Sequence, residues 1–153
     1  IYGSAEVVGL MCLKVFTSMK GAAPGHTEEL VRSARSLGAA FQKVNFLRDL
    51  GADTAELGRS YFPGLDPLAF EERHKAALLT EIRHDLAVAK DGMEYLAPPA
   101  QRAVRLAHDL FLALAAKIDR VPAAELARKR VRVSGIHKAY IAARVCAGTR
   151  LFP

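Results

Sequence analysis

Apolar residues recur every three or four positions along almost the whole chain, and no segment alternates as a half-buried strand does. Proline and glycine residues divide this helical pattern into segments. The pattern predicts a single all-α domain over residues 1–153, with antiparallel neighbouring helices joined by fairly short loops. The predicted helices run from Ser4 to about Lys20, Thr27 to about Leu50, Asp66 to Asp91, Pro98 to near Arg120, and from Pro122 onward with a candidate break at Gly135.

The second predicted helix carries polar residues beside its apolar stripe. We place Phe41 at the centre of the stripe that faces inward. Helical geometry then puts Asn45, Asp49 and Gln42 at about 40°, 80° and 100° to one side. Arg48 falls close to the apolar direction itself. Because unpaired polar groups are costly to bury, this flank is predicted to line a polar cavity.

Two aspartates, Asp49 and Asp53, lie four residues apart near the predicted end of this helix. If the helix continues through Gly51, their Cβ atoms are roughly 5–6 Å apart and the carboxylates repel each other. The helix dipole also disfavours anions there. Such a site favours a bound cation, and carboxylates without His or Cys favour Mg²⁺. Alternatively, Gly51 ends the helix and Asp53 starts the next turn; the spacing supports both interpretations equally.

The composition bounds the class of protein. Of 153 residues, 51% are hydrophobic and 25% charged, which excludes a disordered tail. No apolar run approaches the roughly 20 residues of a membrane span. Two distant cysteines, Cys12 and Cys146, predict no disulfide framework and are interpreted as small core residues of a reduced, cytoplasmic protein. The first residue is Ile1 rather than Met, which favours a fragment.

The net charge of +6 lies entirely in the second half of the chain, and residues 128–153 carry seven basic and no acidic side chains. Such a segment suits nucleic acid, anionic lipid or a phosphorylated small molecule; alternatively, it is a solvated basic helix face. No aromatic residues are interleaved with the basic run, so nucleic acid is not the expected partner. The five histidines lack metal-binding spacing and predict surface or capping roles.

Three segments resemble motifs of the squalene/phytoene synthase family. Its second aspartate-rich motif, L-G-x-A-x-Q-x-x-N-x-x-R-D-x-x-x-D followed by G-R-x-Y-x-P, is closely similar to LGAAFQKVNFLRDLGAD at 37–53 and GRSYFP at 58–63. The start of the chain looks like the family's Y-x-x-x-V-A-G-x-V-G segment. Residues 129–134, with Lys138, are similar to its K-R-x-x-V-S tail. The resemblance spans most of the chain and is greatest to a bacterial phytoene synthase.

The resemblance implies an isoprenoid-synthase-type helical barrel that joins two prenyl diphosphates head to head, with geranylgeranyl diphosphate giving phytoene in carotenoid biosynthesis. It implies Mg²⁺ as the cofactor that bridges the diphosphate to the protein. The implied metal ligands are Asp49, Asp53 and Asn45, and the implied catalytic residues are Asp49, Asp53 and Arg48. The implied substrate-binding residues are Arg48 and Arg130 at the diphosphate, Gln42 and Asn45 beside it, Ala5, Val8 and Gly9 along the prenyl channel, and Tyr61 in either a site or a packing role.

The sequence departs from the family pattern in three ways. Ala52 stands where relatives often have Glu, and Phe111 where they often carry Tyr. No first aspartate-rich motif is present, so the chain resembles the C-terminal portion of such an enzyme, with half of the metal site. The expected partners are a prenyl diphosphate, an N-terminal half or a second copy, and a membrane surface in peripheral contact. The alternative is a catalytically silent relative that serves as a protein-interaction or assembly module.

Overall fold

A computed structural model describes residues 2–22, 25–57, 70–126, 128 and 130–148. Within these residues all regular structure is helical, so the all-α prediction is confirmed. None of the described helices is long and apolar enough to cross a membrane. The elements are a π-helical turn (Tyr2–Glu6), α1 (Val7–Thr17), α2 (Thr27–Leu57), α3 (Glu72–Asp91), a 3₁₀ turn (Met93–Tyr95), α4 (Pro98–Asp119), α5 (Ala123–Leu126) and α6 (Gly135–Cys146).

The second helix is longer than predicted. It continues to Leu57 instead of ending at about Leu50, and Gly51 lies inside it. The interpretation in which Gly51 ends the helix is therefore wrong. Asp49 and Asp53 belong to one continuous helix, one turn apart, as the cation-site interpretation requires.

The third helix begins later than predicted. The proposed N-terminal signals, Asp66 and Pro67, lie outside the described residues, and the helix starts at Glu72. The N–H of Glu71 donates to Nδ1 of His74 at 3.1 Å, which satisfies a backbone donor at this helix end. The capping role predicted for histidines therefore holds for His74.

The predicted fifth helix is two helices, α5 and α6, and the described residues 130–134 between them are not helical. Val131 of this segment is buried in the main core, and the carbonyl of Arg132 accepts a hydrogen bond from Lys117 Nζ at 2.6 Å. These contacts attach the segment to the main core and to α4. Ser134 then caps α6, since its Oγ accepts a backbone N–H of the first turn at 3.3 Å. Gly135 begins α6 and does not interrupt a longer helix.

Helices α2 and α3 are antiparallel, as predicted for neighbouring helices. Near the start of α2, Ser33 Oγ donates to the carbonyl of Val88 at 3.0 Å, and further along α2 Lys43 Nζ lies 2.9 Å from Asp85 and 2.8 Å from Glu81, earlier in α3. Burial opposes the charge of Lys43, but its hydrogen bonds with Glu81 and Asp85 outweigh this effect, so the pKa of Lys43 is raised. The ion pairs therefore fix the register of the two helices.

The main core lies where α2, α3 and α4 meet, and α5 closes one end of it. Its largest fully buried side chains come from all four helices, which ties them into one unit. A smaller cluster joins α1 to the start of α4, and another holds α6 against α4. The fully buried side chains of the main core include Val44, Leu47, Leu79, Ile82, Ile118 and Leu126.

A buried lysine joins the start of α3 to the turn after α4. Lys75 Nζ donates to the carbonyls of Asp119 at 3.2 Å and Val121 at 2.7 Å, and lies 2.7 Å from Glu72. The other oxygen of Glu72 accepts the N–H of Ala123 at 2.6 Å. Carbonyls at the end of α4 and a donor at the start of α5 are thereby satisfied by two side chains of α3.

The hydrogen bonds of Glu72 are expected to make the stability of the fold depend on pH in acid. The hydrogen bond from Lys75, and then that from the Ala123 N–H, lowers the pKa of Glu72 from its ordinary value of 4.5. A carboxyl with a lowered pKa stabilises the fold above its ordinary pKa, and this contribution is lost as the pH falls through the folded pKa. We expect Glu72→Gln to lower Tm at neutral pH and to flatten the fall of Tm below about pH 4.5. Thermal unfolding against pH, with the exposed Glu125→Gln as control, measures this; parallel curves would contradict it.

Candidate active site

In the described part of the chain, two of the cavities that α2 borders are lined by predicted site residues. The first, here called the apolar cavity, has a volume of about 480 Å³ and lies between the π-helical turn, α1, α2 and the residues from the end of α3 to the middle of α4. The second, here called the basic cavity, has a volume of about 520 Å³ and lies between α2, α4 and the segment that leads into α6. The two cavities differ sharply in lining: the first has apolar walls, whereas four cationic side chains border the second.

The side of α2 that borders the apolar cavity is not its most buried side. Ala40, Val44 and Leu47 are fully buried in the main core, whereas Phe41 and Gln42 line the cavity. At 100° per residue, Phe41 lies about 100° around the helix from Ala40, and Gln42 about 200°. The expectation that Phe41 marks the centre of the core-facing stripe is therefore wrong, because α2 packs on α3 and α4 with one face and borders the cavity with another.

The residues predicted along a prenyl channel lie on the apolar cavity. Ala5, Val8 and Gly9 line it, opposite Gln42 of α2. Gly9 also has a packing role, since a Cβ there would lie 2.3 Å from the carbonyl oxygen of Ala34. The absence of a side chain at Gly9 is thus required by the close approach of α1 to α2, and not only by the room that a bound chain needs.

The carboxylate of Asp49 lies between two guanidinium groups. Arg48 Nη2 donates to Oδ2 at 2.7 Å, and Arg130 Nε donates to Oδ1 at 2.7 Å. Arg48 Nε is within 3.2 Å of both oxygens, and Arg130 Nη2 lies 3.5 Å from Oδ2. Such forked pairs between guanidinium and carboxylate are strong and fix orientation. The structure therefore brings three residues predicted for the site, Arg48, Asp49 and Arg130, into direct contact.

Two further cations border the basic cavity. Arg132 and Lys138 line it together with Arg48 and Arg130. Of the basic residues in the segment before α6, only Arg130 was predicted from the sequence to belong to the site. No local sequence signal marks Arg132, because its place at the cavity depends on the path of the non-helical segment before α6.

A stacked pair of aromatic rings lies at the junction of the two cavities. Phe41 of α2 lines the apolar cavity and Phe111 of α4 lines the basic cavity. Their ring centroids are 3.8 Å apart and the planes differ by 18°. A ligand with a hydrocarbon tail and an anionic head could therefore place its two parts in the two cavities with its reactive carbon near these rings.

The donor chemistry around Asp49 fits a hard cation. A carboxylate is a preferred Mg²⁺ ligand, but its roughly four lone-pair positions are already engaged by the two guanidinium groups, so a metal at Asp49 would have to displace one of these contacts. Asn45, one turn before it, is half-buried, and Asp53 follows one turn after it in the same helix. The side chain of Asp53 and all of Tyr61 lie outside the described residues. Among the described side chains, no group of three or more His, Cys, Asp or Glu comes together.

One histidine contradicts the prediction of surface and capping roles. His108 is buried, with Nε2 3.1 Å from the carbonyl oxygen of Leu86 and Nδ1 2.8 Å from Asp109. A carbonyl only accepts, so Nε2 is the donor and one proton lies between Nδ1 and the Asp109 carboxylate. The pair holds α4 against α3. Sequence reasoning also misplaced both cysteines, which are exposed and not in the core.

Comparison with known proteins agrees with this geometry. A family model of squalene/phytoene synthase matches residues 1–137. The chain belongs to the squalene/phytoene synthase family. The match includes α1, α2 and the segment that carries Arg130, so the elements around Asp49 all fall within the family region.

A curated relative within this family is a bifunctional lycopene cyclase/phytoene synthase of Phycomyces blakesleeanus, 34% identical over 122 residues. The alignment covers 77% of this chain and 18% of that relative, so the chain spans less than a fifth of its length. Two of the departures noted in the sequence, Ala52 and Phe111, lie within the region that the family model matches. Phe111 occupies a defined place, stacked on Phe41, where a tyrosine would add a hydroxyl at the basic cavity.

Proposed function

We propose that this chain is the C-terminal portion of a synthase that joins two prenyl diphosphates head to head, with geranylgeranyl diphosphate as substrate and phytoene as product. The observation that carries the proposal is an apolar cavity on one side of the stacked Phe41 and Phe111 rings and a basic cavity on the other, beside Asp49. Along α2, the apolar cavity extends from Leu30 to Gln42, which is about 18 Å at 1.5 Å per residue. An elongated apolar space with a cationic cavity nearby suits a long hydrocarbon with a diphosphate head.

In this proposal the cations bind the diphosphate. Arg48 and Arg130 are held in place by Asp49, and Arg132 and Lys138 add two charges on the other side of the basic cavity. Departure of the diphosphate leaves negative charge on its oxygens, and positioned cations stabilise that charge as it develops. Asp49, Asp53 and Asn45 would hold Mg²⁺, which supplies further neutralisation of the leaving group when bound.

In this proposal the apolar cavity binds the hydrocarbon part of the substrate. Its walls orient the prenyl chain and exclude water from the allylic cation that remains after the diphosphate leaves. The faces of Phe41 and Phe111 carry negative potential, so the stacked pair can stabilise a cation near the junction. Gln42 adds an amide at the same end of the cavity.

An N-terminal half with the first aspartate-rich motif completes the proposed site. α1 has no buried residue, and Val8, Met11 and Val15 expose 56%, 65% and 62% of their surface on one face. This face adjoins the apolar cavity through Val8. We propose that the N-terminal half covers it; a second copy of the chain is the other candidate, and oligomeric state distinguishes them.

The decisive experiment is a product assay with labelled geranylgeranyl diphosphate, with and without Mg²⁺, followed by extraction of hydrocarbon. The chain alone is expected to form no product, and the chain completed by an N-terminal half is expected to form phytoene only with Mg²⁺. Product from the chain alone would show that a complete site forms without that half, and the fragment hypothesis would be wrong.

A second candidate function is a catalytically silent assembly module. Both oxygens of Asp49 are already bonded to guanidinium groups, and Ala52 and Phe111 depart from the family pattern. In such a protein the ion pairs would serve to anchor the segment before α6. If the completed synthase formed no product but still bound its N-terminal half, this function would be favoured.

The basic cavity can be tested on the chain itself. Hydrogen bonds to charged groups are worth about 1.5–3 kcal/mol, so we expect Arg130→Ala to weaken binding of inorganic diphosphate with Mg²⁺ by about tenfold or more. Isothermal titration measures the affinity. The matched control is Arg102→Ala, an exposed arginine of α4 away from both cavities. Equal affinities for the two variants would remove Arg130 from the diphosphate site.

A further inference from the structure

The carboxylate of Asp49 has no free position for a further ligand. Its Oδ1 accepts from Arg130 Nε at 2.7 Å and from Arg48 Nε at 3.1 Å, and its Oδ2 accepts from Arg48 Nη2 at 2.7 Å. A carboxylate offers about four acceptor positions, and longer contacts of 3.2 and 3.5 Å to Oδ2 engage the rest. One anion between two cations leaves this group with a net positive charge, which repels a divalent cation. A metal can therefore bind Asp49 only after one guanidinium group has left.

The two guanidinium groups differ in how easily they can leave. Arg48 is the residue before Asp49 on α2, and its side chain is only 25% exposed. Arg130 comes from the non-helical residues before α6, and 45% of its side chain is exposed where it lines the basic cavity. Exposed ion pairs are weaker than buried ones because water competes for both partners. The contact between Arg130 and Asp49 is therefore the one that a ligand in the basic cavity can replace.

The backbone around Arg130 is held by other contacts. Val131 is buried in the main core, and the carbonyl of Arg132 accepts a hydrogen bond from Lys117 Nζ at 2.6 Å. The Arg130 side chain can therefore change its partner while the backbone stays in place. Arg132 and Lys138 line the same cavity, so an anion that they attract arrives next to Arg130.

We propose that Arg130 exchanges Asp49 for a bound diphosphate, and that this exchange makes the diphosphate and the metal bind cooperatively. The fork of a guanidinium pairs with phosphate oxygens as well as with a carboxylate, so diphosphate in the basic cavity competes for Arg130. Once Arg130 has turned to the diphosphate, Asp49 has free acceptor positions and one positive neighbour fewer. The inference rests on the proposed function, because it takes diphosphate and Mg²⁺ as the ligands of this site.

The exchange gives Arg130 a second task beside binding of the diphosphate, since it keeps Asp49 closed to cations until diphosphate arrives. Coupling between two ligands is reciprocal, so release of Arg130 to the diphosphate must equally be favoured by Mg²⁺. A purely structural ion pair makes a different prediction, because its removal would loosen the site and weaken the binding of both ligands. A substitution at Arg130 therefore separates the two roles.

The test is a pair of titrations on the chain itself, one with a divalent cation alone and one with inorganic diphosphate alone. Mn²⁺ is the probe, because it prefers the same oxygen ligands as Mg²⁺ and its free form is measured by electron paramagnetic resonance. Arg130→Ala should bind Mn²⁺ about fivefold or more tightly than the wild type does, and should bind inorganic diphosphate more weakly. Opposite shifts from one substitution distinguish an exchange from a general loss of structure.

The matched control is Arg132→Ala, which removes a positive charge from the same cavity. Among the described side chains, Arg48 and Arg130 contact Asp49 and Arg132 does not. Arg132→Ala should also weaken diphosphate binding, but should change the affinity for Mn²⁺ by no more than about twofold, through the electrostatic field alone. Because Arg130 and Arg132 are both exposed, neither substitution removes a core contact, and unchanged helical circular dichroism will verify the fold.

The exchange would be overturned if Arg130→Ala bound Mn²⁺ no more tightly than Arg132→Ala, or bound none measurably. Weaker binding of both ligands would assign the ion pair a structural role instead. The result is separate from that of the proposed function, since neither titration needs a prenyl chain or an N-terminal half. Opposite shifts without phytoene from the completed synthase would contradict the proposed reaction alone, and phytoene without the shifts would contradict the exchange alone.

Discussion

Replacement of Asp49 by asparagine is expected to remove the Mg²⁺ dependence of diphosphate binding and to lower turnover of the completed synthase by about a thousandfold. The change keeps the size of the side chain and removes its charge. Asn45 and Asp53 then remain as the only proposed metal donors on this helix. The loss corresponds to about 4 kcal/mol of transition-state stabilisation, which is the scale expected of a charge that holds a catalytic cation.

Without Mg²⁺, the same variant is not expected to lose affinity for diphosphate. In the wild type, Asp49 partly neutralises Arg48 and Arg130 through contacts of 2.7 Å. When that negative charge is removed, the basic cavity becomes more positive, so inorganic diphosphate alone should bind as tightly or more tightly than to the wild type. Titration with and without Mg²⁺ separates the two effects. A merely destabilised protein would lose both kinds of binding.

The matched control for this experiment is Asp91→Asn, which makes the same substitution at an exposed aspartate at the end of α3. It lies in neither cavity and should leave both titrations and turnover unchanged. If Asp49→Asn retained Mg²⁺-dependent binding like Asp91→Asn, the metal assignment on α2 would be wrong.

The second large effect is expected where the π-helical turn before α1 approaches α2. A Cβ at Gly38 would lie 2.3 Å from the carbonyl oxygen of Ala5. That oxygen belongs to backbone, which cannot move aside as a flexible side chain can. We expect Gly38→Ala to lower the free energy of unfolding by about 2–3 kcal/mol, the upper part of the range for overpacked sites, and to displace the wall of the apolar cavity.

Gly135→Ala is the control for this prediction. It also places a methyl group on a helical glycine, but nothing lies within 4 Å of the new Cβ. Because alanine favours helix more than glycine does, this variant should be unchanged or more stable by up to about 1 kcal/mol. Urea unfolding of both variants measures the difference. Equal stabilities would mean that the π-helical turn moves away from α2 without cost and that the close approach is not required.

Several features of the fold were predictable because they depend on residues near each other in sequence. The start of α4 follows from Pro98, and the start of α2 from Thr27 and the acidic residues after it. The end of α2 was not predictable in this way. Gly51 is a common helix terminator, but here the helix passes through it. A single glycine in a helix costs about 1 kcal/mol, which the packing of Leu47 and Leu50 in the main core can outweigh.

In the candidate site, too, some residues were predictable from the sequence and others were not. Motif spacing alone indicated Asp49 and Arg48, because both are on one helix. The contact between Arg130 and Asp49 joins residues 81 positions apart and required the folded chain. His108 was misjudged for a related reason: its partner carbonyl, from Leu86, belongs to a different helix, and only that neighbour makes a buried imidazole tolerable.

The sequence by itself determined the helical class, the order of the first four helices and the resemblance to the family, since periodicity and motif spacing are properties of short stretches of chain. Tertiary structure decided which face of α2 is core and which is cavity, why Gly9 and Gly38 are glycines, and that Arg130 reaches Asp49. Those properties depend on which distant segments pack together. Packing is decided by the sum of contacts over the whole domain, which no local pattern contains.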